Sequence, residues 1–171
     1  MLKNERNMIL DTIALPEGNL VKLQPYQERL LADLNNLNPH VFRPPYRRSG
    51  TSTLLASYIL THMVRDMSED DTHPKRVLIV SENINRATYV KDYILDVASI
   101  TPLTSSNQMM TAIIENIRVE TISAFERSCY GKYSLVFFEG MRQGDMNAVQ
   151  LAMKHVSMAN QNVKCIIELS S

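Results

Sequence analysis

Glycine is scarce in this chain, five residues in 171, and the apolar fraction is ordinary at 44%. Together these exclude a fibrous repeat or a disordered composition, and no low-complexity tract interrupts the sequence. Only two cysteines occur, Cys129 and Cys165, far apart and in no C-x-x-C pair. Free, buried thiols are expected of them, not a disulfide or a metal site. No apolar run approaches the roughly 20 residues that span a bilayer. The N-terminal MLKNERNMILD lacks the basic-then-apolar order of a secretory signal, so a cytoplasmic protein without membrane contact is expected. An excess of either charge is missing too, since 18 Lys and Arg balance 18 Asp and Glu. A protein that holds DNA through its phosphates carries a basic excess or a basic face. Neutrality therefore argues against strong autonomous nucleic-acid binding and leaves only a local patch at Arg43, Arg47 and Arg48. His40, His62, His73 and His155 fall in no metal-ligand spacing and read as isolated core or surface residues.

What is present alternates between helix and strand patterns. QPYQERLLADLNN, with Leu30, Leu31 and Leu34 in phase, suits a short amphipathic helix, and HVFRPPY a strand ended by Pro44 and Pro45. SGTSTLLASYILTHMVRDM predicts a helix with Leu54, Leu55, Tyr58, Ile59, His62 and Met63 on one side. RVLIVS is the continuous apolar run of a strand buried on both faces. NRATYVKDYILDVASI predicts a helix whose inner face is Ala87, Val90, Ile94, Val97 and Ala98, and QMMTAIIENI a shorter one. IRVETIS reads as a strand with Val119 and Thr121 alternating against Glu120, and YSLVFFE as an apolar strand ending in a carboxylate. DMNAVQLAMKHVSM, opened by Asp145, suits an amphipathic helix, and VKCIIELSS a last strand. Strands separated by helices of this length imply an α/β fold with a mainly parallel sheet of about five strands, flanked by helices. Residues 1–19 are expected to be an N-terminal extension to a domain spanning 20–171. Ligands of such sheets bind beyond the carboxyl ends of the strands, which directs attention to residues 47–52, Ser81, Glu82, Ser123, Glu139 and Ser170.

The stretch FRPPYRRSGTST runs from strand through turn to helix, the layout of a phosphate-binding loop. On the pattern G-x-x-x-x-G-K-[ST] it places Pro45 at the first glycine, Gly50 at the second, Thr51 at the lysine and Ser52 at the hydroxyl that ligates Mg²⁺. The match is partial, and a turn capped by Ser49 explains the same residues. LVFFEG adds an apolar strand that delivers Glu139 where a nucleoside triphosphatase holds Mg²⁺, followed by Gly140. A buried strand with a solvated end residue would look alike.

Taken in order, these segments resemble the ATPase domain of the large terminase subunit, the DNA-packaging motor of tailed phages and herpesviruses. They are more distantly similar to the first RecA-like domain of superfamily 2 helicases. VKLQPYQERLL resembles the L-x-x-Y-Q segment, which implies adenine contacts at Tyr26 and Gln27. RRSGTS resembles the terminase form of the phosphate loop, which implies nucleotide contacts from Arg47, Arg48, Ser49, Gly50, Thr51, Ser52 and Thr53. IVSENINRATYVKDYIL and VETISAFERSCYGKYSLVFFEG are similar to the following segments, and IELSS resembles the coupling motif with Ser170 as its nucleotide sensor. The resemblance covers residues 20–171. It implies a RecA-like P-loop NTPase fold, ATP as ligand, and Mg²⁺ held indirectly by Ser52 and Glu139.

Two departures weigh against turnover. Thr51 replaces the lysine, removing a full charge beside the phosphates, and Gly140 replaces the glutamate that polarises the attacking water. Arg47 or Arg48 can supply part of the charge, and Glu82 and Glu126 are the neighbouring carboxylates that could approach. Three functions stay open. One is a pseudo-ATPase or partner-dependent nucleotide-binding module linked to DNA packaging. Another is an active terminase-type ATPase domain driving DNA translocation. The third is an α/β interaction domain without nucleotide. No nuclease carboxylate cluster and no second lobe follow the coupling segment, so action on DNA is expected only as a homo-oligomer or with a protein partner. Binding of the lone chain to duplex should be weak, and the setting the cytoplasm of a virus-infected host cell.

Overall fold

The computed structural model describes residues 12–14, 20–22, 24–44, 51–64, 67, 73–99, 107–127, 133–142, 150, 154 and 163–170. A short antiparallel hairpin comes first, β1 (Thr12–Ala14) with β2 (Leu20–Lys22), and β1 lies against the second helix. The main body follows as α1 (Pro25–Asn36), β3 (His40–Phe42), α2 (Thr51–Val64), β4 (Val77–Ser81), α3 (Ile84–Ser99) and α4 (Asn107–Glu115). It is completed by β5 (Ile117–Thr121), α5 (Ile122–Arg127), β6 (Leu135–Met141) and β7 (Lys164–Leu169). The five strands β3 to β7 form one sheet in the order β3-β7-β6-β4-β5, every neighbouring pair parallel. The expected α/β class and strand number are therefore observed.

Because strand side chains alternate, a sheet covered on both faces makes two cores from one set of strands. Val77, Ile79, Ile117, Leu135, Phe137 and Ile166 pack with α1, α2, α3 and α4. Leu78, Val80, Val136, Phe138, Cys165 and Ile167 pack on the opposite face, where Phe125 of α5 meets Phe138 edge-on with ring centroids 5.1 Å apart. Each fully buried aromatic of this kind contributes roughly 2–3 kcal/mol by leaving water. This double duty is why VLIV and LVFF read as unbroken apolar runs.

Three local expectations are corrected. The strand predicted over IRVETIS stops at Thr121, and α5 begins at Ile122. The Thr121 hydroxyl accepts the Ala124 N–H at 3.2 Å, which turns the chain into a helix where β propensity favours extension. Glu120 is also as sheltered as Val119 and Thr121, so the alternation expected there is absent. Finally, α2 is not one-sided: Thr53, Ala56, Ser57, Leu60 and Thr61 are buried along with Leu54, Leu55, Tyr58, Ile59 and Met63 of the predicted face, while His62 of that face is only half-buried. It is wedged between the sheet, α1 and α3, and Thr61 satisfies its hydroxyl on the Ser57 carbonyl at 2.8 Å. The helix expected over DMNAVQLAMKHVSM lies almost wholly outside the described residues. Among the described residues no helix is long and apolar enough to cross a membrane.

The β3 edge is pinned to β7 from outside the sheet. Asn38 donates to the Val163 carbonyl at 2.9 Å and accepts the Cys165 N–H at 2.8 Å, while the Lys164 ammonium donates to the carbonyls of Leu34 and Leu37 at the end of α1. Cys165, buried on β7, has its thiol pushed up to about 12 by burial, against the opposing effect of Lys164. That makes it an inert core thiol, as expected of a free buried cysteine; Cys129 lies outside the described residues.

Candidate functional site at the carboxyl ends of the strands

Side-chain parity decides which residues gather at the site. On the face that carries α2 and α3, the last inward positions are Ser81 on β4, Glu139 on β6 and Glu168 on β7, each following an apolar residue of the first core. The β6–β7 register shifts between Phe138 and Met141, so that Glu139 and Gly140 together oppose Glu168. This bulge changes the phase of β6. Without it Met141 would share the face of Glu139, and with it Met141 enters the second core. Gly140 takes φ +60°, a conformation that side chains other than glycine rarely adopt.

Glu139 is held at both oxygens. The Ser81 hydroxyl donates to one at 2.7 Å, and Arg86, from the first turn of α3, donates to the other through Nη2 at 3.0 Å. Ser81 Oγ in turn accepts the Asn83 N–H at 3.3 Å, and the Asn83 side chain accepts the Asn85 N–H at 2.8 Å, which fixes the turn from β4 into α3. A Cβ at position 140 would collide with Arg86 Nη2, so the tip of the guanidinium occupies the space that a side chain there would fill. Glu168 is a second carboxyl beside the first. Burial foremost, then the neighbouring Glu139 carboxylate, raises it from the usual 4.5 to about 7, while the Gly140 N–H and Arg86 pull the other way.

Both glutamates line a cavity of about 110 Å³ that opens between α2 and α3. Its other walls are Ser52, Leu55, Ala56, Ile59, Phe137, Val90, Tyr93 and the exposed Tyr89. Such a volume admits a hydrated cation and a terminal phosphate oxygen, not a whole nucleotide. One hydroxyl and two carboxylates are hard oxygen donors of the kind that hold Mg²⁺, and they fit it in chemistry. Among the described residues no group of three or more His, Cys, Asp or Glu forms a protein-only metal cage.

The expected nucleotide residues fall into three sets. Ser52 and Glu139 are brought together in the cavity, and Thr53 is tied to α3 by its hydroxyl at 2.6 Å from the Tyr93 hydroxyl. Tyr26, from the first turn of α1, reaches the Thr51 hydroxyl at 3.4 Å, so the segment proposed to meet adenine adjoins the residue that replaces lysine. Gln27 is buried, and its Oε1 accepts the Gln24 N–H at 2.8 Å, which commits that oxygen to capping α1. Arg47, Arg48, Ser49 and Gly50 lie outside the described residues. Ser170 sits beside β6, its N–H donating to the Met141 carbonyl at 2.9 Å, two residues from Glu139. Of the two carboxylates weighed as approaching the site, Glu82 pairs instead with Arg142 at 3.5 Å, and the side chain of Glu126 lies outside the described residues. Arg86 and Glu168 were not anticipated. The signal for Glu168 was present, a carboxylate closing an apolar strand, but its nearness to Glu139 depends on β7 pairing with β6. Arg86 likewise becomes visible only once β4 and β6 are known to be neighbours.

No protein-family model matches the chain, and no curated protein matches it. Among solved structures it is similar to the HK97 bacteriophage large terminase, with TM-score 0.62 and 15% identity over 98% of this chain and 37% of that one. It is also similar to the UvsW helicase from bacteriophage T4, with TM-score 0.59 and 10% identity over 99% of this chain and 60% of that one. The chain thus spans between about a third and three fifths of the proteins whose fold it shares, an α/β fold of the RecA-like type.

Proposed function

From this RecA-like fold we propose that the chain is a terminase-type nucleotide-binding module, linked to DNA packaging in the cytoplasm of a virus-infected cell. In this reading it binds ATP and turns it over poorly or only with a partner. The convergence of Ser52 and Glu139 in one cavity at the carboxyl ends of parallel strands is the observation that carries it. Ser52, on the first turn of α2, would contact the cation and the terminal phosphates, where the helix dipole favours an anion. Glu139 would hold Mg²⁺ through water, and Mg²⁺ would supply charge neutralisation of the phosphates. Tyr26 and Gln27 would face the base, Arg47, Arg48, Ser49, Gly50, Thr51 and Thr53 the phosphates, and Ser170 would register the occupied state. With Thr51 at the lysine position and Gly140 after Glu139, the charge and the base that speed hydrolysis are absent from their usual places.

A second reading, an active ATPase domain, is favoured by one observation: Glu168 puts another carboxylate against the cavity beside Glu139. Turnover separates the two. Work on duplex DNA would fall to a homo-oligomer or a complex with a protein partner, and the lone chain is expected to release DNA by roughly 0.2 M salt. Calorimetric titration with Mg·ATP and a non-hydrolysable analogue tests the reading on wild type and on Arg47→Ala/Arg48→Ala. Micromolar binding abolished in the double variant supports a working loop. Absence of heat at millimolar nucleotide refutes it and leaves an interaction domain.

A further inference from the structure

The pair Arg86–Glu139 does something that neither departure from the nucleotide-binding pattern explains alone. Glu139 is only 16% exposed, and its carboxylate is met by a guanidinium at 3.0 Å on one oxygen and by a hydroxyl on the other. The guanidinium reaches it across Gly140, where any Cβ would strike Nη2. A glutamate at position 140 would therefore exclude Arg86 from this place. Position 140 also takes φ +60°, which disfavours glutamate independently. The residue usually counted as lost and the arginine that stands against Glu139 are mutually exclusive occupants of one space.

We propose that Arg86 occupies the cation seat of this site: its guanidinium is the resident counter-ion of Glu139, and a divalent metal must displace it to bind. Gly140 is then a fitted partner of Arg86, not a remnant. The inference rests on the nucleotide reading only for the location of the seat. Three features support it. Arg86 projects from the first turn of α3, and the turn before it is locked by Ser81, Asn83 and Asn85, so the backbone from which it approaches is fixed. A planar guanidinium makes directed, charge-assisted bonds to carboxylate and stays charged at every working pH. It is also 42% exposed, so it can swing out to solvent when a metal arrives. The consequence is a site whose nucleotide affinity depends little on Mg²⁺, because a fixed positive charge already stands where the ion would.

Mn²⁺ binding without nucleotide, read by water-proton relaxation, tests the seat directly. Wild type should bind Mn²⁺ weakly, and Arg86→Ala should bind it at least roughly tenfold more tightly, since a full opposing charge is removed at ion-pair distance. The gain should vanish in Arg86→Ala/Glu139→Gln. Gly140→Ala, checked for folding by circular dichroism, should reproduce part of the gain by pushing the guanidinium aside, and Arg86→Lys should fall between. Equal Mn²⁺ affinity in wild type and Arg86→Ala, or a gain that survives Glu139→Gln, overturns the proposal. ATP titrations in Mg²⁺ and in EDTA then address the consequence. Wild-type affinities within roughly threefold of each other, with Mg²⁺ dependence appearing in Arg86→Ala, support it, and a wild type that binds ATP only with Mg²⁺ overturns it. If no ATP binds under either condition while the Mn²⁺ pattern holds, the nucleotide reading falls and the cation seat stands.

Discussion

Replacing Glu168 by glutamine should make the protein more stable at neutral pH. Glu168 is displaced from the usual 4.5 to about 7, first by burial and then by Glu139. For an acid raised on folding, no penalty exists below the unfolded value, where both states are protonated. As pH climbs from about 4.5 to about 7 the unfolded chain releases the proton and the folded chain keeps it, so stability falls. Above about 7 the penalty is complete, and a displacement of this size corresponds to roughly 3 kcal/mol. Glutamine keeps an oxygen for the Gly140 N–H and carries no charge, so Glu168→Gln should recover about 1–3 kcal/mol at pH 8 and almost nothing near pH 4.5. Urea unfolding midpoints of both proteins, measured in steps across that range, give the difference directly. A constant offset, or a variant less stable at pH 8 than at pH 5 by as much as wild type, would refute the electrostatic account of the site.

Other perturbations have equally defined outcomes. Both ring nitrogens of buried His40 are without a hydrogen-bond partner among the described residues, so His40→Phe, stacked on Phe42 as His40 now is, should raise stability by about 1 kcal/mol. Burial holds His40 below the usual 6.5, against Asp33 and with Lys164, so wild-type stability should also fall as pH drops below about 6.5, and calorimetry should find that limb flattened in the variant. Tyr93→Phe removes the 2.6 Å hydroxyl pair with Thr53 and should cost about 1 kcal/mol in urea titration while loosening the start of α2 in hydrogen exchange. Asn38→Ala deletes both bonds to β7 and should cost about 2 kcal/mol, with faster exchange of the Cys165 amide as its local signature.

The elements were legible because their signals are local. An apolar run such as VLIV and a 3.6-residue period such as that of α3 report burial whatever the partner is. The hydroxyl at Ser52 and the carboxylate at Glu139 were legible for a related reason, since one opens a helix and the other closes an apolar run, although β6 continues past the expected end at Glu139 to Met141. What escaped was lateral. Strand order places β7 beside β6, which sets Glu168 next to Glu139, and β6 beside β4, which lets Arg86 reach across Gly140. The helix α5 escaped because a threonine hydroxyl, not a change of hydrophobic period, ends the strand before it. The burial of α2 on nearly all sides escaped because α1 and α3 both pack on it.

The order of the sheet also bears on how the chain is made. Among the described residues β3 is joined to the sheet through β7 alone, His40 lying beside Ile166 and Phe42 beside Glu168. During synthesis the ribosome therefore releases the first strand of the sheet long before the strand that fastens it, with β4, β5 and β6 emerging in between. Until residue 169 is free, the growing chain can assemble one block around β4 and another around α1 and β3, with open edges facing each other across an empty slot. Insertion of β7 fills the slot, seats Lys164 under α1 and brings Glu168 to Glu139 in a single event. Closing such long-range pairs is slow, and the nascent chain has reason to be shielded at those edges while it waits. Glu168 is then the last of these residues to reach the candidate site, because Ser81, Arg86 and Glu139 lie on β4, α3 and β6, which all precede β7.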